Sequence, residues 1–388
     1  MADLPFRPRL VENANEVAEL CLAARSASSI ALDTEADSLH SYHHKLCLIQ
    51  LSFDERHFVI DPLAVGRPGL EPLAELCARR QVTKVMHGAD YDLRVLDRDI
   101  GARVCGLEDT QVAAQLLGEP QTGLAALLQK ELGVVIDKQY QRADWGARPL
   151  APELVSYAVA DTAHLHRLAA AVTGRLEELG RLNWWREECA ALEEVCWVPA
   201  PVNELAFERI KFAGRLRGLE RDRVAALHRW REQQASNEDV PPFRIIRNEA
   251  LLALAQRPPG DLAEMTAFPG VGKSLSRRHG DQLLALLAAP PAAPERVPRV
   301  ASKFEREREA RVKQARSARD AVALQLGLAG GVLAPRTVLE QVVDCLPRDE
   351  EALAVCLGRA WRVSVLASCL LPLISGWLAA GAGDAAAQ

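Results

Sequence analysis

Two acidic residues stand at the end of a segment that otherwise suits a protein core. The apolar run SSIAL leads directly into Asp33 and Glu35, which are separated only by Thr34. Because residues i and i+2 of a β-strand point to the same face, we expect the two carboxylates side by side. Like charges this close repel each other, so the pair indicates a site for a cation.

Two later stretches place further polar groups where they could join this pair. The predicted strand TKVMHG ends just before Asp90 and Asp92, which open a helix. Acids in the first turn of a helix are usually partners of the helix dipole, so Asp92 alone would indicate little. In SYAVAD, Tyr157 and Asp161 are four residues apart and therefore share one face of a predicted helix.

Four converging carboxylates are typical of metal-assisted phosphoryl chemistry. Carboxylates that are buried together raise one another's pKa values. The hard cations Mg²⁺ and Mn²⁺ relieve that repulsion because they prefer oxygen ligands. Two such ions about 4 Å apart can stabilise both the attacking and the leaving oxygen of a phosphoryl displacement. We therefore predict that Asp33, Glu35, Asp92 and Asp161 form one divalent-metal site, with Tyr157 close to it.

The elements before residue 120 predict a mixed α/β sheet. SSIALD, KLCLIQLSF and RHFVID are short apolar runs between turn-rich segments, and they predict three consecutive strands. A helix over PGLEPLAELCARR, the strand TKVMHG and a helix over DYDLRVLDRDIG follow. A short strand in GARVCGL and a helix with Asp109 as its N-cap come next. This order implies both antiparallel and parallel strand pairs.

The rest of the chain predicts helices in three regions. Residues 121–194 have an almost wholly helical pattern, including one long helix over residues 152–180. Proline-containing linkers at 196–204 and after Pro290 predict an α/β domain over 1–200, a helical domain over 205–291 and a second helical domain over 300–388. The segments that begin at Arg223 and Arg311 share a basic helix, a Pro/Arg turn and a leucine-bearing helix, which indicates a diverged internal duplication.

Composition is that of a globular protein from a reducing compartment. The chain is 49% hydrophobic and 26% charged, which argues against disorder over most of its length. Nine scattered cysteines without a CxxC pair fit a cytoplasmic location better than a disulfide framework. The uncharged run over residues 363–383 is just long enough to span a membrane. Pro372 and many small residues favour a buried helix instead, so we expect no membrane partner.

Charge is distributed unevenly behind the net value of −5. Residues 1–200 hold 20 Lys/Arg and 30 Asp/Glu, whereas residues 201–320 hold 23 and 16. This asymmetry suggests a cation-using first half joined to an anion-binding middle. The helix predicted over residues 303–320 has mixed charge. It fits either a solvated helix with i,i+4 ion pairs or a surface whose arginines line a path for a polyanion.

Three short motifs, in order, carry a resemblance to a known family. DTE at 33–35, HGADYD at 87–92 and YAVAD at 157–161 resemble the exonuclease motifs of the DEDD superfamily, tyrosine subtype. KLCLIQLS, EDTQVAAQLLG and DKQYQRADWGARPL are similar to ribonuclease D, and LHRWREQQASNEDVPPFRIIRNEALLALA resembles its helicase-and-ribonuclease-D C-terminal (HRDC) module. The resemblance implies a ribonuclease-H-like exonuclease domain followed by two small helical HRDC-like domains, the second one diverged.

The same resemblance implies a role for each site residue. Asp33 would bridge two divalent ions, Glu35 and Asp161 would hold the ion that activates water, and Asp92 would support the second ion, partly through water. Tyr157 would orient the nucleophilic water through its hydroxyl. The product would be a 5′-mononucleotide released from a 3′ end, and the implied substrate is structured RNA such as a tRNA precursor.

Three other motifs have both a functional and a structural interpretation. His40, His43 and His44 could form a metal cluster, although adjacent histidines on a turn usually face solvent. His87 could touch a phosphate or be a buried, hydrogen-bonded side chain. AFPGVGKSL at 267–275 lacks the spacing of a nucleoside-triphosphatase loop. It predicts a turn between two helices whose backbone N–H groups could meet nucleic-acid phosphate.

Two other functions fit the same sequence. A DNA 3′–5′ exonuclease of repair type would use the same metal site, because the metal ligands do not register the 2′-hydroxyl. A non-hydrolytic RNA-binding adaptor would use the helical domains alone, but the intact set of acids argues against it. We expect a monomer, since several RNA-facing modules in one chain need no second copy.

Overall fold

The computed structural model describes residues 8–137, 139–201, 203–296 and 303–386. In these ranges the strands are Arg9–Val11 (β1), Ser29–Ala36 (β2), Leu46–Phe53 (β3), Arg56–Ile60 (β4), Thr83–Met86 (β5) and Leu107–Asp109 (β6). The helices of the first half are Ala14–Ala24 (α1), Pro62–Val65 (α2), Glu71–Ala78 (α3), Asp90–Ile100 (α4), Thr110–Leu116 (α5), Leu124–Leu132 (α6), Pro152–Ala158 (α7), Leu165–Glu178 (α8) and Leu182–Leu192 (α9).

The regular secondary structure of the second half is helical in its described residues. Its helices are Gly218–Glu238 (α10), Pro242–Ile245 (α11), Asn248–Gln256 (α12), Leu262–Ala267 (α13), Lys273–Ala288 (α14), Lys303–Leu326 (α15), Gly330–Leu333 (α16), Arg336–Cys345 (α17), Glu350–Leu357 (α18) and Ala360–Ala386 (α19). Turns of 3-10 helix occupy Arg67–Leu70, Val159–Asp161, Ala206–Arg209 and Ala213–Arg215.

One mixed sheet forms the centre of the first half, with strand order β1-β4-β3-β2-β5-β6. The neighbours β2, β3 and β4 are antiparallel, β5 and β6 extend the sheet parallel to β2, and β1 pairs with β4 in parallel. The predicted mixed sheet is therefore confirmed. The sequence reasoning missed β1, because three residues are too few to show a periodic pattern.

Burial of the apolar run explains why the acids lie at the sheet centre. Ile30, Ala31 and Leu32 are fully buried in β2, and every residue of β3 is buried. Strands covered on both faces have such continuous apolar runs. The run fixes β2 between β3 and β5, so Asp33 and Glu35 follow at the carboxyl end of a central strand.

Two helical predictions are wrong. Residues 121–194 are not almost wholly helical, because α6 ends where Gly133 takes a φ of +68°. The described residues between 133 and 151 contain no helix. The β-branched segment 134–136 and Pro149, which lacks a backbone N–H, both disfavour one. The single helix predicted over residues 152–180 is instead α7, the 3-10 turn Val159–Asp161 and α8.

Thr162 accounts for the interruption between α7 and α8. Its side chain is fully buried, and its hydroxyl lies 2.8 Å from the hydroxyl of Ser52 in β3. The same hydroxyl donates to the carbonyl oxygen of Val159, 3.4 Å away. Threonine side chains that bond nearby backbone in this way compete with the helical hydrogen bonds. The interruption leaves Asp161 at the end of a short turn that packs on β3 and β4.

The short strand predicted in GARVCGL begins only at its last residue, since β6 spans Leu107–Asp109. Gly106 precedes it with a φ of +72°, a left-handed backbone that favours glycine. A Cβ at this position would lie 2.8 Å from the carbonyl oxygen of Arg80. The close approach of this neighbouring backbone therefore sets where the strand starts.

The second half contains two helical units of the same layout. Three residues separate α10 from α11 and two separate α11 from α12, and the same separations recur between α15, α16 and α17. Two further helices complete each unit, α13 and α14 in the first and α18 and α19 in the second. This repeated spacing supports the duplication predicted from the segments at Arg223 and Arg311, and the predicted fold class of α/β followed by all-α is confirmed.

The two helical units differ in what they pack against. The first unit has a hydrophobic cluster of its own, with buried residues such as Leu251 and Leu283. Side chains of the second unit, such as Leu339 and Leu366, share one cluster with residues of α5, α6, α8 and α9. The second unit is therefore docked on the sheet domain. The domain limits 1–200, 205–291 and 300–388 stay a prediction.

Polar and aromatic contacts reinforce the docking of the second unit. Arg181 donates to the carbonyl oxygens of Leu116, at 2.7 Å, and Leu326, at 2.6 Å. The rings of Trp184 and Trp361 stack with centroids 4.7 Å apart.

The segment Ala360–Ala380 of α19 is long and apolar enough to cross a membrane by length and composition, with 28% of its apolar window buried in the fold.

Candidate active site and metal centre

Three carboxylates converge at the carboxyl end of β2. Asp33, Glu35 and Asp161 each present one oxygen, and these oxygens all lie within 4.8 Å of one another. Asp33 and Glu35 occupy alternate positions of β2, and Asp161 closes the 3-10 turn that packs on β3 and β4. Carboxylate oxygens grouped in this way suit a hard divalent cation. The donor set of the described residues therefore fits Mg²⁺ or Mn²⁺.

Asp92 approaches the same carboxylates from the first turn of α4. Its Oδ1 accepts a hydrogen bond from the hydroxyl of Thr34, the residue between Asp33 and Glu35. Asp92 is buried, and its negative charge contributes to the raised pKa of Asp33. All four acids chosen from the sequence thus share one region, with Asp92 outside the tightest group of three.

Burial raises the pKa values of all four acids, and repulsion within the cluster raises those of Asp33 and Glu35 further. Desolvation raises the pKa of Asp33 well above its usual value, and the charges of Asp92, Asp161 and Glu35 raise it further. Mainly through desolvation, the pKa rises to about 8 for Glu35, to about 7 for Asp92 and to about 6 for Asp161. Without a cation the cluster therefore retains protons near neutral pH, and cation binding displaces them.

Tyr157 lies beside the cluster, and two aromatic side chains pack against its ring. The Trp145 ring stacks on it with centroids 6.2 Å apart, and the Tyr140 ring meets it edge-on at 5.5 Å. Desolvation and the charges of Asp161 and Glu35 raise the pKa of Tyr157 to about 12. Its hydroxyl therefore stays protonated and remains a hydrogen-bond donor at every physiological pH.

An ion pair between the partly exposed Arg148 and the buried Asp61 anchors the non-helical loop that carries Trp145. Arg148 donates to both carboxylate oxygens of Asp61, at 2.6 and 2.7 Å, and to the carbonyl oxygens of Cys47 and Trp145. Asp61 is fully buried and also caps α2. Two-pronged Arg–carboxylate pairs are among the strongest charge-assisted hydrogen bonds. The sequence analysis did not identify this ion pair. Its signals in the sequence are an acid, Asp61, directly after a strand and an arginine, Arg148, three residues after Trp145.

Asp109 and His87 support the site from beneath α4. Asp109 caps α5 as predicted, and it also accepts hydrogen bonds from the backbone N–H groups of Gly88 and Ala89. These bonds fix the start of α4, which carries Asp92. His87 Nδ1 lies 2.9 Å from the hydroxyl of Thr110, in agreement with its interpretation as a hydrogen-bonded structural side chain.

The carboxylate cluster lies between two cavities that share Glu35 and Gln141 as lining residues. One cavity, of about 290 Å³, reaches the exposed side chains of Leu39 and Tyr91. The other, of about 610 Å³, runs past Tyr157 and Asp161 to the start of α6. Asp33 and Asp92 line the smaller cavity, Asp161 lines the larger one and Glu35 lines both, so both cavities open onto the cluster.

The histidines of the loop after β2 contact the first helical unit. The ring nitrogens of His40 and His43 lie 3.3 Å from Arg244 Nη2 and 3.1 Å from the Ser236 hydroxyl. Asp239 accepts hydrogen bonds from the backbone N–H groups of residues 42 and 43, at 3.1 and 2.9 Å. In the described part of the chain, the group with metal-ligand geometry is the carboxylate cluster and not these histidines.

Comparison with known proteins identifies the family. Residues 8–177 match the 3′–5′ exonuclease family model, and residues 220–287 match the HRDC domain. Ribonuclease D of Acidiphilium cryptum is 34% identical over 296 residues, which cover 74% of this chain and 73% of the relative. The chain belongs to the ribonuclease D family. Ribonuclease D of Escherichia coli is 34% identical over 290 residues, with 74% and 76% covered.

Solved structures agree with membership of the ribonuclease D family. Escherichia coli RNase D, an exoribonuclease involved in structured RNA processing, matches with a TM-score of 0.66 at 28% identity and covers 96% of this chain and 100% of its own. The catalytic core of RRP6 from Trypanosoma brucei matches with a TM-score of 0.68 at 25% identity, with 74% and 80% covered. The protein is therefore a 3′–5′ exoribonuclease that acts on RNA and depends on divalent cations.

Proposed function

We propose that this ribonuclease D-family enzyme trims the 3′ ends of structured RNAs such as tRNA precursors and releases 5′-mononucleotides, with two divalent ions at the carboxylate cluster. The observation that carries the proposal is the convergence of three carboxylate oxygens within 4.8 Å, between two cavities. Asp92 lies outside that group of three and would supply a carboxylate for a second ion.

Each acid has a separate part in the proposed site. Asp33 would contact both ions, since the charges of the other three acids all act on it. Glu35 and Asp161 would hold the ion that activates water, since both are close enough to Tyr157 to raise its pKa. Asp92, fixed by the Thr34 hydroxyl, would support the second ion, partly through water. When bound, such ions lower the pKa of a coordinated water and neutralise charge that develops on the phosphoryl group.

Tyr157 orients the attacking water in this proposal. Its hydroxyl stays protonated, so it would donate a hydrogen bond to the oxygen of the attacking water and fix the position of that water. The ring contacts with Trp145 and Tyr140 restrict its rotation, and the pair between Arg148 and Asp61 holds the loop in place. A fixed donor of this kind contributes through positioning rather than as a base.

The first helical unit is proposed to provide a second binding surface for longer RNA. Phe243, which is 53% exposed, and Arg247 line a cavity of about 540 Å³ at the corner between α11 and α12. The adjacent Arg244 reaches His40 at the mouth of the smaller active-site cavity. Arginine and exposed aromatic side chains bind phosphates and unpaired bases without reading sequence. RNA that extends from the smaller active-site cavity past His40 would therefore reach the corner between α11 and α12 first.

The glycine turn of the first unit takes a mainly packing role in this proposal. Gly270 has a φ of +82°, and a Cβ there would lie 2.8 Å from the Cβ of Ala250. The turn therefore needs glycine for its backbone and for the close approach of α12. Lys273 and Arg277 are exposed on the following helix and remain free to contact phosphate.

We propose further that the enzyme is a cytoplasmic monomer. Its nine cysteines are all unpaired in the structure, which suits a reducing compartment. The apolar side of α19 packs into the cluster that the second helical unit shares with the sheet domain, including Trp361, Leu366 and Leu370. We assign α19 to the second helical unit and not to a membrane, since one side of the helix lies in this shared cluster.

One assay separates the proposal from its two alternatives. RNA and DNA oligomers of the same sequence, labelled at the 5′ end, are incubated with Mg²⁺, Mn²⁺ or EDTA. We expect a ladder of shortened RNA with either metal and none with EDTA, and loss of the ladder with retained RNA binding in Asp33→Ala and Asp161→Ala. Preferred degradation of DNA would favour the repair exonuclease, and binding without degradation would favour the adaptor.

A further inference from the structure

Gln50 is a buried amide whose hydrogen bonds the fold does not supply. Its side chain in β3 is fully buried, and neither Oε1 nor Nε2 pairs with any described group of the protein. A buried polar group without a partner costs about 1–3 kcal/mol. By contrast, the next polar residue on the same face, Ser52, contacts both the Thr162 hydroxyl and His57 Nδ1, at 2.8 and 2.9 Å.

The strand register places this amide against the metal-binding carboxylates. Gln50 is directly opposite Asp33 in the antiparallel pair of β2 and β3, and Leu48 is opposite Glu35. Opposed residues of such a pair share one face of the sheet, with Cβ atoms about 4.5–5.5 Å apart. The 3-10 turn that ends in Asp161 packs over β3 on the same side as the cluster.

Gln50 is placed to act on the site without touching RNA. It is fully buried and lines neither of the two cavities beside the cluster. A cationic side chain at this position would compete with metal ions for the Asp33 carboxylate, and an apolar one could not hold it. A neutral amide, in contrast, donates one hydrogen bond and leaves the charge of the carboxylate for the ions.

We propose that Gln50, whose amide has no partner among the described residues of the metal-free fold, is a positioning residue: when cations bind, its Nε2 would donate a hydrogen bond to Asp33 and orient that carboxylate towards the ions. The inference rests on the proposed metal-ligand set. Partners that fix the orientation of a metal-ligating side chain typically change metal affinity by about 10–100-fold when they are removed. Gln50 acts through Asp33 and not on the RNA, so its removal affects metal binding rather than RNA binding.

The test is Gln50→Met, which keeps an unbranched side chain of similar length and removes the amide. Without metal, we expect the thermal unfolding midpoint to equal or exceed that of the parent, because an unpaired buried amide is gone. We expect the Mn²⁺ concentration that gives half of the full thermal stabilisation to rise about tenfold. At a fixed, subsaturating Mn²⁺ concentration, kcat should fall while KM for an RNA oligomer stays unchanged.

The matched control is Leu48→Met, at the neighbouring position of the same face opposite Glu35. It changes core packing without removing a polar group, so its metal dependence should equal that of the parent. The proposal is wrong if Gln50→Met lowers the metal-free midpoint and keeps the parent's Mn²⁺ dependence, since Gln50 would then only fill the core. If Gln50→Met does not fold, Gln50→Leu is measured by the same criteria. A parent that neither Mg²⁺ nor Mn²⁺ stabilises would refute the metal-ligand set itself.

Discussion

Replacing Asp33 by asparagine should make the metal-free protein more stable while it removes the response to metal. Asn keeps the shape of the side chain and deletes one of the charges that repel each other in the cluster. Asp33 is the acid on which the charges of Glu35, Asp92 and Asp161 all act. The most damaging substitution for activity is thus expected to be a stabilising one for the fold.

The size of the expected gain in stability follows from the distance between the carboxylate oxygens and from the linkage between proton binding and folding. Two unit charges 4.8 Å apart repel each other by roughly 3 kcal/mol at an effective dielectric constant of about 20. The folded-state pKa values are raised, so the contribution of these acids to stability is fully present below the unfolded pKa of about 4. That contribution is lost as the pH rises through the folded values of about 6 to 8.

We therefore expect a gain of about 2–4 kcal/mol in the free energy of unfolding of Asp33→Asn at pH 8 without metal, and a much smaller gain at pH 5. For the sheet domain, each kcal/mol corresponds to roughly 2–4 °C in the unfolding midpoint. The assay is thermal unfolding at both pH values, in EDTA and with increasing Mg²⁺. Mg²⁺ should raise the midpoint of the parent and leave that of the variant nearly unchanged.

The control is Glu19→Gln, which removes one negative charge from an exposed position of α1. Its midpoint should stay within about 1 kcal/mol of the parent at both pH values, because exposed charges contribute little. A destabilised Asp33→Asn protein at pH 8 without metal would refute the reasoning, since the carboxylates would not be repelling each other. An equal gain at pH 5 and pH 8 would refute the assigned ionisation.

Four further outcomes are expected. In metal-free buffer, the midpoint of the parent should fall as the pH rises from 5 to 9, and Mg²⁺ should flatten this dependence; a midpoint that rises over this range contradicts the raised pKa values. Tyr157→Phe should lower kcat about 10- to 100-fold with RNA affinity unchanged, whereas weaker binding at full kcat would give the hydroxyl another role. Arg148→Met should lower the free energy of unfolding by about 1–3 kcal/mol, because the buried Asp61 keeps its capping bonds but loses its ion-pair partner; a chemical denaturation curve like the parent's would contradict this. The double variant Phe243→Ala/Arg244→Ala should weaken binding of a long structured RNA several-fold and leave hydrolysis of a short single strand unchanged. Equal effects on both would contradict RNA binding by the first helical unit.

The shared hydrophobic cluster changes what a truncation can test. Because residues such as Leu339 and Leu366 pack with α5, α6, α8 and α9, removal of the whole second half would expose the core of the sheet domain. Point substitutions in the first helical unit are therefore the sharper probe of RNA binding. The sequence predicted separate helical domains but could not reveal this docking, since an apolar helix face does not say which surface covers it.

The central acids were predictable because several independent signals point to them. Asp33 and Glu35 interrupt an apolar strand, and strand periodicity alone puts them on one face. The capping role of Asp109 also followed from local sequence, because a cap depends on neighbours in the chain. The convergence with Asp161 depended on the order of the motifs, as carboxylates from distant elements leave no local pattern.

The support of Tyr157 was not predictable for a physical reason. The loop with Trp145 and Arg148 is irregular, so no period of hydrophobic residues describes it. Its anchor joins Asp61 to Arg148 across 87 positions of the chain, a pairing that a single sequence does not encode visibly. The interruption of the predicted long helix likewise depends on a bond between Thr162 and Ser52, which only the folded sheet brings together.

The most direct test of the central claim is the rate at which Asp161→Asn shortens a 5′-labelled RNA under single-turnover conditions in saturating Mg²⁺. Asp161 reaches Asp33 and Glu35 only through the fold, so its effect tests the assembled site rather than one strand. The proposed function predicts that the parent removes nucleotides one at a time from the 3′ end and that the variant is slower by at least about 1,000-fold, a loss of about 4 kcal/mol of transition-state stabilisation. A variant that shortens RNA at the parent's rate would contradict it.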